Sequence, residues 1–425
     1  MPMKKNNSDE HGDHRSGNQG ILKKIQFFPA AVTPFRYRDL SFALSQHLNK
    51  KGLPDFEKAM CSFIGTKHAY SFTSFMRAIY ACLIFLKKSD KRFEIIIPRY
   101  SCPSFAHAIL AAGLRIRYCD INPLTLSLDM KKVEQEDLKN VLAIICVNYF
   151  GLSNPMDEIS NFCKNNDIYL IEDLGYSLGS EYNQRKLGTF GDFSVYNFQE
   201  GKAIPVGGGM ITTNRDDLEG MQFQNRGMAS PNFFQMTGYK IFSNPYGYNI
   251  FMGISRNLGE NGRKRFSMED TIRETSNEFD FSFDPNCPLL SLSNFQGALG
   301  FSILSNMSEL MKTREKNALL YNNKLSDHEN IIPIQKEKGV SKVHYIRYPI
   351  LVGNNLRDSV LSALLKNGIE ASSMYSDHGI QIANSGYSGA ERISNEILTL
   401  PCHPFMNYKD IEFACEIICD VIDNS

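Results

Sequence analysis

The chain has 425 residues, its 46 lysines and arginines balance 46 aspartates and glutamates, and 42% of its residues are hydrophobic. This much apolar material can bury a large core, so we expect one large globular body or two to three domains rather than a solenoid, a coiled coil or a disordered chain. The balanced charge gives no general attraction for phosphate backbones, and we expect no nucleic-acid partner.

The N-terminal residues and the cysteines indicate where the protein works. Residues 1–20 are polar with almost nothing apolar, which predicts a disordered tail rather than a signal sequence. No stretch approaches the ~18 consecutive apolar residues that a membrane-spanning helix requires. Most of the cysteines lie in apolar runs, and Cys415 and Cys419 have no nearby cysteine or histidine partners for zinc. These features predict a cytoplasmic protein with no membrane span and no metal site.

An alternation of β-rich runs and apolar helical stretches begins near Phe56. The predicted strands are 94–97, 115–119, 141–147, 168–172, 193–198 and 210–213. The predicted helices between them are 75–88, 104–112, 130–137 and 156–165, and Asn154 is a candidate cap for the last one. Several of these strands are apolar on both faces, which is typical of a parallel sheet covered by helices. The pattern therefore predicts an α/β domain with a mostly parallel sheet.

The pattern changes after the last of these strands. Residues 216–288 are rich in aromatic residues, glycine and proline, which indicates an insertion. The sequence then predicts a long helical stretch at 295–325, a strand at 345–352, a helix at 356–367 ended by Gly368, and a last helix at 408–422. We therefore predict a large domain over residues 21–288 that carries the insertion, and a small C-terminal α+β domain over residues 289–425.

Chemically useful residues follow the predicted strands, where ligands bind in open parallel sheets. Asp173 follows one strand and Lys202 lies just beyond another, while Thr73 and Ser74 precede an apolar helix. A lysine amine can hold pyridoxal phosphate as a Schiff base, and a carboxylate can keep the ring nitrogen of that cofactor protonated. The N–H groups at a helix N-terminus suit its phosphate. Each residue alone has an ordinary structural explanation, and it is their order and spacing that favour this cofactor.

In these stretches the sequence resembles the DegT/StrS family of sugar aminotransferases, from about Phe56 to the C-terminus. The matching segments are 95–113, 120–126, 171–179, 185–192, 196–202, 296–300, 368–369 with Tyr375, and 400–404. The resemblance implies a large domain with the aspartate-aminotransferase fold, which is fold type I of the pyridoxal phosphate enzymes. It also implies pyridoxal 5'-phosphate as the cofactor and a homodimer in which the partner chain completes each site.

The same resemblance implies roles for three residues near the cofactor ring. Lys202 would join the cofactor aldehyde and act as the catalytic base. Asp173 would pair with the pyridinium nitrogen. Tyr176 stands where the family usually has glutamine or histidine beside the phenolic oxygen of the cofactor, and a phenol O–H can donate a hydrogen bond there.

The resemblance also implies a phosphate site that is formed by four further residues. Ser74, the backbone N–H groups of Phe75 and Met76, and Asn197 would hold the phosphate. Asn197 replaces the serine of the family. Phe75 and Met76 replace a glycine and a threonine, which keeps the backbone donors but removes a hydroxyl.

Other positions depart from the family pattern. Cys102 stands at the cofactor-binding position where an aromatic ring commonly stacks on the cofactor. Gly208 belongs to a glycine run that lacks the usual acidic residue. Leu289 and Ser291 replace an asparagine and an arginine that reach the neighbouring subunit, so the substrate contacts of the family cannot be carried over.

These observations predict a pyridoxal-phosphate-dependent aminotransferase that moves an amino group from an amino acid, glutamate, to a keto-sugar nucleotide in surface-glycan or secondary-metabolite biosynthesis. Two alternatives are a different reaction or acceptor on the same cofactor frame, and a regulatory protein that binds the cofactor without catalysis. One branch of the family dehydrates its substrate with histidine in place of the Schiff-base lysine, and Lys202 argues against that branch.

Overall fold

The computed structural model describes residues 27–135, 137–217, 227–257, 288–375 and 386–425. The tail predicted for residues 1–20 and the parts of the predicted insertion over residues 218–226 and 258–287 lie outside these ranges.

Helices and strands alternate through the first half of the described chain. The helices are α1 (Tyr37–Leu48), α2 (Gly52–Ile64), α3 (Phe75–Ser89), α4 (Pro103–Ala111), α5 (Met130–Val133), α6 (Met156–Asn165), α7 (Phe233–Phe242), α8 (Pro245–Asn257), α9 (Asn294–Ser305), α10 (Met307–Leu325), α11 (Arg357–Lys366), α12 (Ser388–Glu396) and α13 (Tyr408–Asp423). The strands are β1 (His68–Phe72), β2 (Glu94–Pro98), β3 (Arg115–Cys119), β4 (Val141–Val147), β5 (Tyr169–Asp173), β6 (Glu181–Tyr182), β7 (Arg185–Lys186), β8 (Phe193–Asn197), β9 (Gly209–Thr213), β10 (Ile331–Pro333), β11 (Val340–Lys342), β12 (Arg347–Val352) and β13 (Ile397–Pro401).

A central sheet positions the candidate site. Within the described ranges its seven strands have the order β1-β9-β8-β5-β4-β2-β3. The strands from β8 to β3 are parallel, and β9 and β1 form an antiparallel edge. Ile95 and Ile97 of β2 belong to one hydrophobic cluster and Ile96 to another, because both faces of the sheet are covered. The prediction of an α/β fold with a mostly parallel sheet is confirmed.

Three details of the predicted elements are wrong. The stretch 295–325 is not one helix, because the helix is interrupted at Asn306, which lies between α9 and α10. The helix predicted for 130–137 ends at Val133, after which the next few residues offer no apolar face to bury. Asn154 does not cap α6; its Nδ2 donates to the Val147 carbonyl at 2.7 Å, and its Oδ1 accepts the Leu128 N–H at 2.7 Å.

The C-terminal part of the chain has a sheet of its own. In the residues that the structure describes, β10, β12 and β13 form this antiparallel sheet, with β12 in the middle. The short strand β11 instead pairs with β6, so the C-terminal part also reaches the loop that follows β5. The division at residues 288 and 289 remains a prediction. Across the described ranges, no helix combines the length and the apolar character needed to cross a membrane.

Candidate active site

Two of the predicted cofactor-binding residues end neighbouring strands. Asp173 is the last residue of β5, and Asn197 is the last residue of β8. A Cβ atom on Gly175 would lie 3.2 Å from Asp173 Oδ1 and 3.3 Å from Asn197 Cβ, so both side chains flank the same stretch of backbone. They lie at the carboxyl edge of the parallel strands, where ligands bind in folds of this class.

The sequence places two acids side by side, and the structure separates their roles. Successive residues of a strand point to opposite faces of the sheet. Glu172 is fully buried, and its carboxylate accepts the backbone N–H groups of Gly188, Phe190 and Gly191. Glu172 therefore fixes the loop after β7, whereas Asp173 faces the candidate site.

Asp173 is a buried carboxylate, and the contacts around it only partly offset the cost of burying its charge. It is 7% exposed, and its Oδ1 accepts the Gly175 N–H at 2.9 Å. Burial raises the pKa of Asp173 to about 6, while the Gly175 hydrogen bond and the charge of Lys202 act in the opposite direction. A buried carboxylate of this kind gains from a cationic N–H partner, because such a partner favours the charged form.

Lys202 lies in the loop after β8 and contacts an aromatic ring. Its Nζ is 3.1 Å from the centroid of the Tyr176 ring, a cation–π arrangement. Tyr176 comes shortly after Asp173 in the turn that follows β5, and its ring also packs against Phe150 at 5.5 Å between centroids. The Tyr176 hydroxyl lies 3.9 Å from the sulfur of Met374. The amine and the acid predicted to share one cofactor thus lie on either side of the same turn.

The N-terminus of α3 supplies the predicted phosphate donors. Ser74 is the N-cap, and its Oγ accepts a backbone N–H of the first turn at 3.1 Å. The N–H groups of Phe75 and Met76 belong to this turn, where a helix has no internal acceptors. Gly209 pairs with Asn197 across β8 and β9, and a Cβ on Gly209 would lie 2.8 Å from Phe75 Cα. Asn197 therefore lies close to a helix N-terminus that suits a phosphate.

Cys102 lies close enough to Lys202 and Asp173 for their charges to affect the pKa of its thiol. It is the N-cap residue of α4, and its sulfur is 3.4 Å from Ser104 Oγ. Burial raises the pKa of the Cys102 thiol; the Ser104 hydrogen bond and the charge of Lys202 lower it, and the charge of Asp173 raises it. The structure thus places all eight predicted site residues along the same edge of the sheet.

Tyr100 and Tyr375 complete this edge, and the sequence predicted no role for them. The Tyr100 hydroxyl donates to the Met374 carbonyl at 2.9 Å, and the Tyr100 and Tyr375 rings meet edge-on at 5.3 Å. Burial raises the pKa of Tyr375, and Tyr176 and Cys102 act in the same direction. A signal was present for both residues, since Tyr100 follows β2 and Tyr375 is one of the positions that carry the family resemblance.

The donor set fits pyridoxal phosphate. Lys202 offers an amine for the aldehyde, Asp173 offers a buried acceptor for a protonated ring nitrogen, and the N-terminus of α3 offers N–H groups for the phosphate. Asp173 is buried at the carboxyl edge of the sheet, and a protonated ring nitrogen would give its carboxylate a cationic partner there.

Comparison with known proteins decides the family. The pattern that defines the DegT/DnrJ/EryC1/StrS aminotransferase family matches residues 45–255 and 286–419. The chain belongs to this family. It is therefore an aminotransferase with the fold of the pyridoxal-phosphate-dependent aminotransferases, and pyridoxal 5'-phosphate is its cofactor. The predicted family, fold class, enzyme class and cofactor are all confirmed.

Relatives of known activity cover most of the chain. The UDP-4-amino-4,6-dideoxy-N-acetyl-beta-L-altrosamine transaminase of Helicobacter pylori is 27% identical over 392 residues, which are 87% of this chain and 91% of the relative. The solved structure of Helicobacter pylori PseC, an aminotransferase involved in the biosynthesis of pseudoaminic acid, superposes with a TM-score of 0.72 at 23% identity and covers 94% of this chain and 100% of that one.

A dehydratase has the same fold. The Escherichia coli GDP-4-keto-6-deoxy-D-mannose-3-dehydratase, solved with bound hydrated pyridoxal phosphate, superposes with a TM-score of 0.70 at 20% identity, covering 93% of this chain and 100% of that one. At this level of identity the likeness concerns the fold.

Proposed function

We propose that this aminotransferase moves an amino group from an amino acid, glutamate, to a keto group on a nucleotide-linked sugar in surface-glycan or secondary-metabolite biosynthesis, and that Lys202 is its catalytic residue. The observation that carries the proposal is the placement of the Lys202 amine over Tyr176, next to the buried Asp173. The substrate class rests on family membership and on the nucleotide-sugar transaminase that is similar over 87% of this chain.

Lys202 and Asp173 divide the chemical work. The bound cofactor supplies an electron sink for the pair of electrons left when a proton leaves the Cα atom of the amino donor. Lys202 Nζ would hold the bound cofactor, and the same amine would move that proton as a general base. Asp173 would keep the ring nitrogen protonated, and a positive ring beside it would lower the pKa of this buried carboxyl.

The remaining residues bind and orient. Ser74, the N–H groups of Phe75 and Met76, and Asn197 would hold the phosphate at the N-terminus of α3. These contacts would fix the phosphate end of the cofactor.

Tyr176 and Cys102 would contact the cofactor ring. The Tyr176 O–H would donate to the phenolic oxygen of the cofactor, and the Tyr176 ring contacts Lys202 Nζ. Cys102 would lie against the cofactor ring in place of a stacking aromatic side chain. These residues would orient the cofactor relative to Lys202 Nζ.

A second copy of the chain is part of the proposal. Phe234, Tyr246 and Ile250 on α7 and α8 are exposed by 88%, 85% and 64%. Large apolar side chains exposed on two helices that contact each other are typical of a surface that another protein covers. From α7, Gln235 Nε2 donates to Glu200 Oε1 at 2.7 Å, so this surface adjoins the Lys202 loop. A homodimer formed here in the cytoplasm would bring the partner chain to the active site.

Absorbance of the purified protein tests the chemistry. The protein with pyridoxal phosphate is expected to show a visible cofactor band that glutamate alone bleaches, and Lys202→Ala is expected to lose the band. Lys186→Ala is a matched control, since Lys186 Nζ lies 4.1 Å from the Phe63 ring centroid in a similar contact on β7. A band that survives in Lys202→Ala as in the control would contradict the role of Lys202.

The acceptor is tested in the second half-reaction. Protein that has been converted by glutamate is mixed with UDP-, GDP- and dTDP-linked keto-sugars, and the return of the cofactor band is followed. Return of the band with one of these sugars supports the proposal. If glutamate bleaches the cofactor band and none of these sugars restores it, the acceptor belongs to another chemical class.

A further inference from the structure

The segment over residues 27–35, called here the N-terminal strap, precedes the first residue that the family pattern matches. One end of the strap is held by the C-terminal part of the chain. The Phe28 N–H donates to the Gly368 carbonyl at 2.8 Å, and the Phe28 carbonyl accepts the Glu370 N–H at 2.9 Å. His403 Nε2 donates to the Pro29 carbonyl at 2.9 Å. The strap is thus fixed to the C-terminal part before it reaches the active site.

The other end of the strap binds the backbone of the catalytic lysine. Thr33 is fully buried, and its Oγ1 donates to the carbonyl oxygen of Lys202 at 2.7 Å. The Thr33 N–H donates to the Tyr239 hydroxyl at 3.2 Å, which ties the strap to α7 as well. Because the carbonyl of Lys202 itself accepts the bond, the Thr33 hydroxyl fixes the residue that bears the reacting amine.

A buried guanidinium holds the Thr33 hydroxyl in this direction. Arg314 of α10 is fully buried, and its Nη2 donates to Thr33 Oγ1 at 2.6 Å and to the Val32 carbonyl at 3.0 Å. Since Thr33 Oγ1 accepts from Arg314, its own hydrogen is left to point at Lys202. The charge has a cost, because burial lowers the pKa of Arg314 to about 10.

A histidine extends the network to the other half of the active site. Arg314 Nη1 lies 2.8 Å from His344 Nε2, and His344 Nδ1 lies 2.7 Å from the Leu178 carbonyl. A carbonyl can only accept, so Nδ1 carries the proton and Nε2 accepts from Arg314. Burial and the charge of Arg314 lower the pKa of His344 to about 3, so the ring is neutral.

The network therefore links the two segments that carry the reacting groups. Leu178 lies in the turn that contains Tyr176, two residues further along the chain, and the His344 N–H also donates to Ser180 Oγ at 2.9 Å in that segment. Lys202 is held from the other side by Thr33. One connected set of hydrogen bonds therefore joins the Lys202 carbonyl to the turn after Asp173.

We propose that Thr33, Arg314 and His344 are positioning residues, which hold Lys202 in register with the turn that carries Asp173 and Tyr176. The inference rests on the role of Lys202 proposed above. A buried side-chain network whose polar groups are hydrogen-bonded makes the surrounding structure more rigid. This rigidity matters at an active site, because misplacement of a catalytic group by about 1 Å can lower the rate about a hundredfold.

Two substitutions of Thr33 test the inference. Thr33→Val keeps the shape and removes the hydroxyl, and Thr33→Ser restores it. We expect Thr33→Val to form the Lys202-dependent cofactor band about tenfold more slowly after pyridoxal phosphate is added to the cofactor-free protein, with kcat lowered and KM for the amino donor unchanged. Thr33→Ser should recover both rates to within about threefold.

Two further variants separate positioning from stability. Thr213→Val is the control, because Thr213 is 2% exposed and its Oγ1 donates to the Asp192 carbonyl at 2.6 Å, at the amino-terminal end of β8. It should form the band at the wild-type rate. His344→Asn keeps a donor for the Leu178 carbonyl and removes the acceptor for Arg314, and it should slow the band even if Thr33→Val does not fold.

The outcomes are distinct. Wild-type rates of band formation in both Thr33→Val and His344→Asn would overturn the positioning role, as would an equal slowing in Thr213→Val. A wild-type protein whose band does not depend on Lys202 would instead remove the proposed function itself.

Discussion

The ammonium of Lys202 lies over the face of the Tyr176 ring, with Nζ 3.1 Å from the ring centroid. The side chain proposed to react with the cofactor thus contacts the residue proposed to orient the cofactor. A cation–π contact contributes about 0.5–2 kcal/mol, which is enough to restrict the rotamers of a lysine and small enough to be exchanged for a bound ligand.

Tyr176 is expected to act through both its ring and its hydroxyl. Tyr176→Phe keeps the ring over Lys202 and should weaken pyridoxal phosphate binding by about tenfold through the loss of one buried hydrogen bond. Tyr176→Leu should also slow the formation of the cofactor band, because Lys202 loses its aromatic contact. Titration of the cofactor-free variants with pyridoxal phosphate measures both effects, and equal affinity in Tyr176→Phe and the wild type would exclude the hydroxyl from binding.

Asp173 should make the stability of the cofactor-free protein depend on pH. Its pKa in the folded protein, about 6, lies above its ordinary value of 3.8. The unfolded chain therefore holds the proton less tightly, and burial of the charged form costs stability as the pH rises through 6. Asp173→Asn should stabilise the cofactor-free protein above pH 6, by roughly 3 kcal/mol at most, with no gain below about pH 4.

Urea unfolding of both proteins at pH 4, 6 and 8 measures this difference. The same variant with pyridoxal phosphate should lose amino transfer, since asparagine cannot keep the ring nitrogen protonated. A stability difference that is constant across this pH range would show that Asp173 is not a buried charge at neutral pH.

Asn197 should contribute to the binding of the cofactor phosphate rather than of the cofactor ring. It ends β8 beside the N-terminus of α3, where Gly209 brings the strand against Phe75. Asn197→Ala should weaken the binding of pyridoxal phosphate by about tenfold, the loss of one hydrogen bond to a charged group. The binding of pyridoxal, which lacks the phosphate, provides the internal control. A parallel loss of affinity for both compounds would place Asn197 elsewhere in the site.

The close approach of β9 to α3 makes Gly209 sensitive to any side chain. A Cβ there would lie 2.8 Å from Phe75 Cα and 2.9 Å from the Tyr196 carbonyl, both of them backbone atoms. Gly209→Ala is therefore expected to displace the N-terminus of α3, lower the stability by about 1–3 kcal/mol and weaken phosphate binding.

Gly238 of α7 is the matched control for this substitution. A Cβ there meets no atom within 4 Å, so Gly238→Ala should raise stability by up to about 1 kcal/mol through helix propensity. Thermal unfolding of both variants measures the contrast. Equal melting temperatures for the two would contradict the close packing of β9 on α3.

Part of this protein could be predicted from its sequence because the signals are local. The apolar run of β4 and the alternation with helices predict a buried parallel strand, and the order of Asp173 and Lys202 after two such strands predicts the cofactor. Gly368, with φ of 85°, ends α11 as its residue type predicts. These inferences depend on residues that lie close together in the chain or that recur in a family pattern.

Other features follow from contacts between distant segments. The sequence shows Thr33, Arg314 and His344 as a threonine, an arginine and a histidine that are far apart, and Asn154 as an ordinary helix cap. Tertiary structure decides their partners, because a buried polar group must find whichever donor or acceptor the packed chain brings to it. The sequence therefore determined the family and the residues proposed to react, whereas the folded chain decided which hydrogen bonds connect Lys202 to the turn after Asp173.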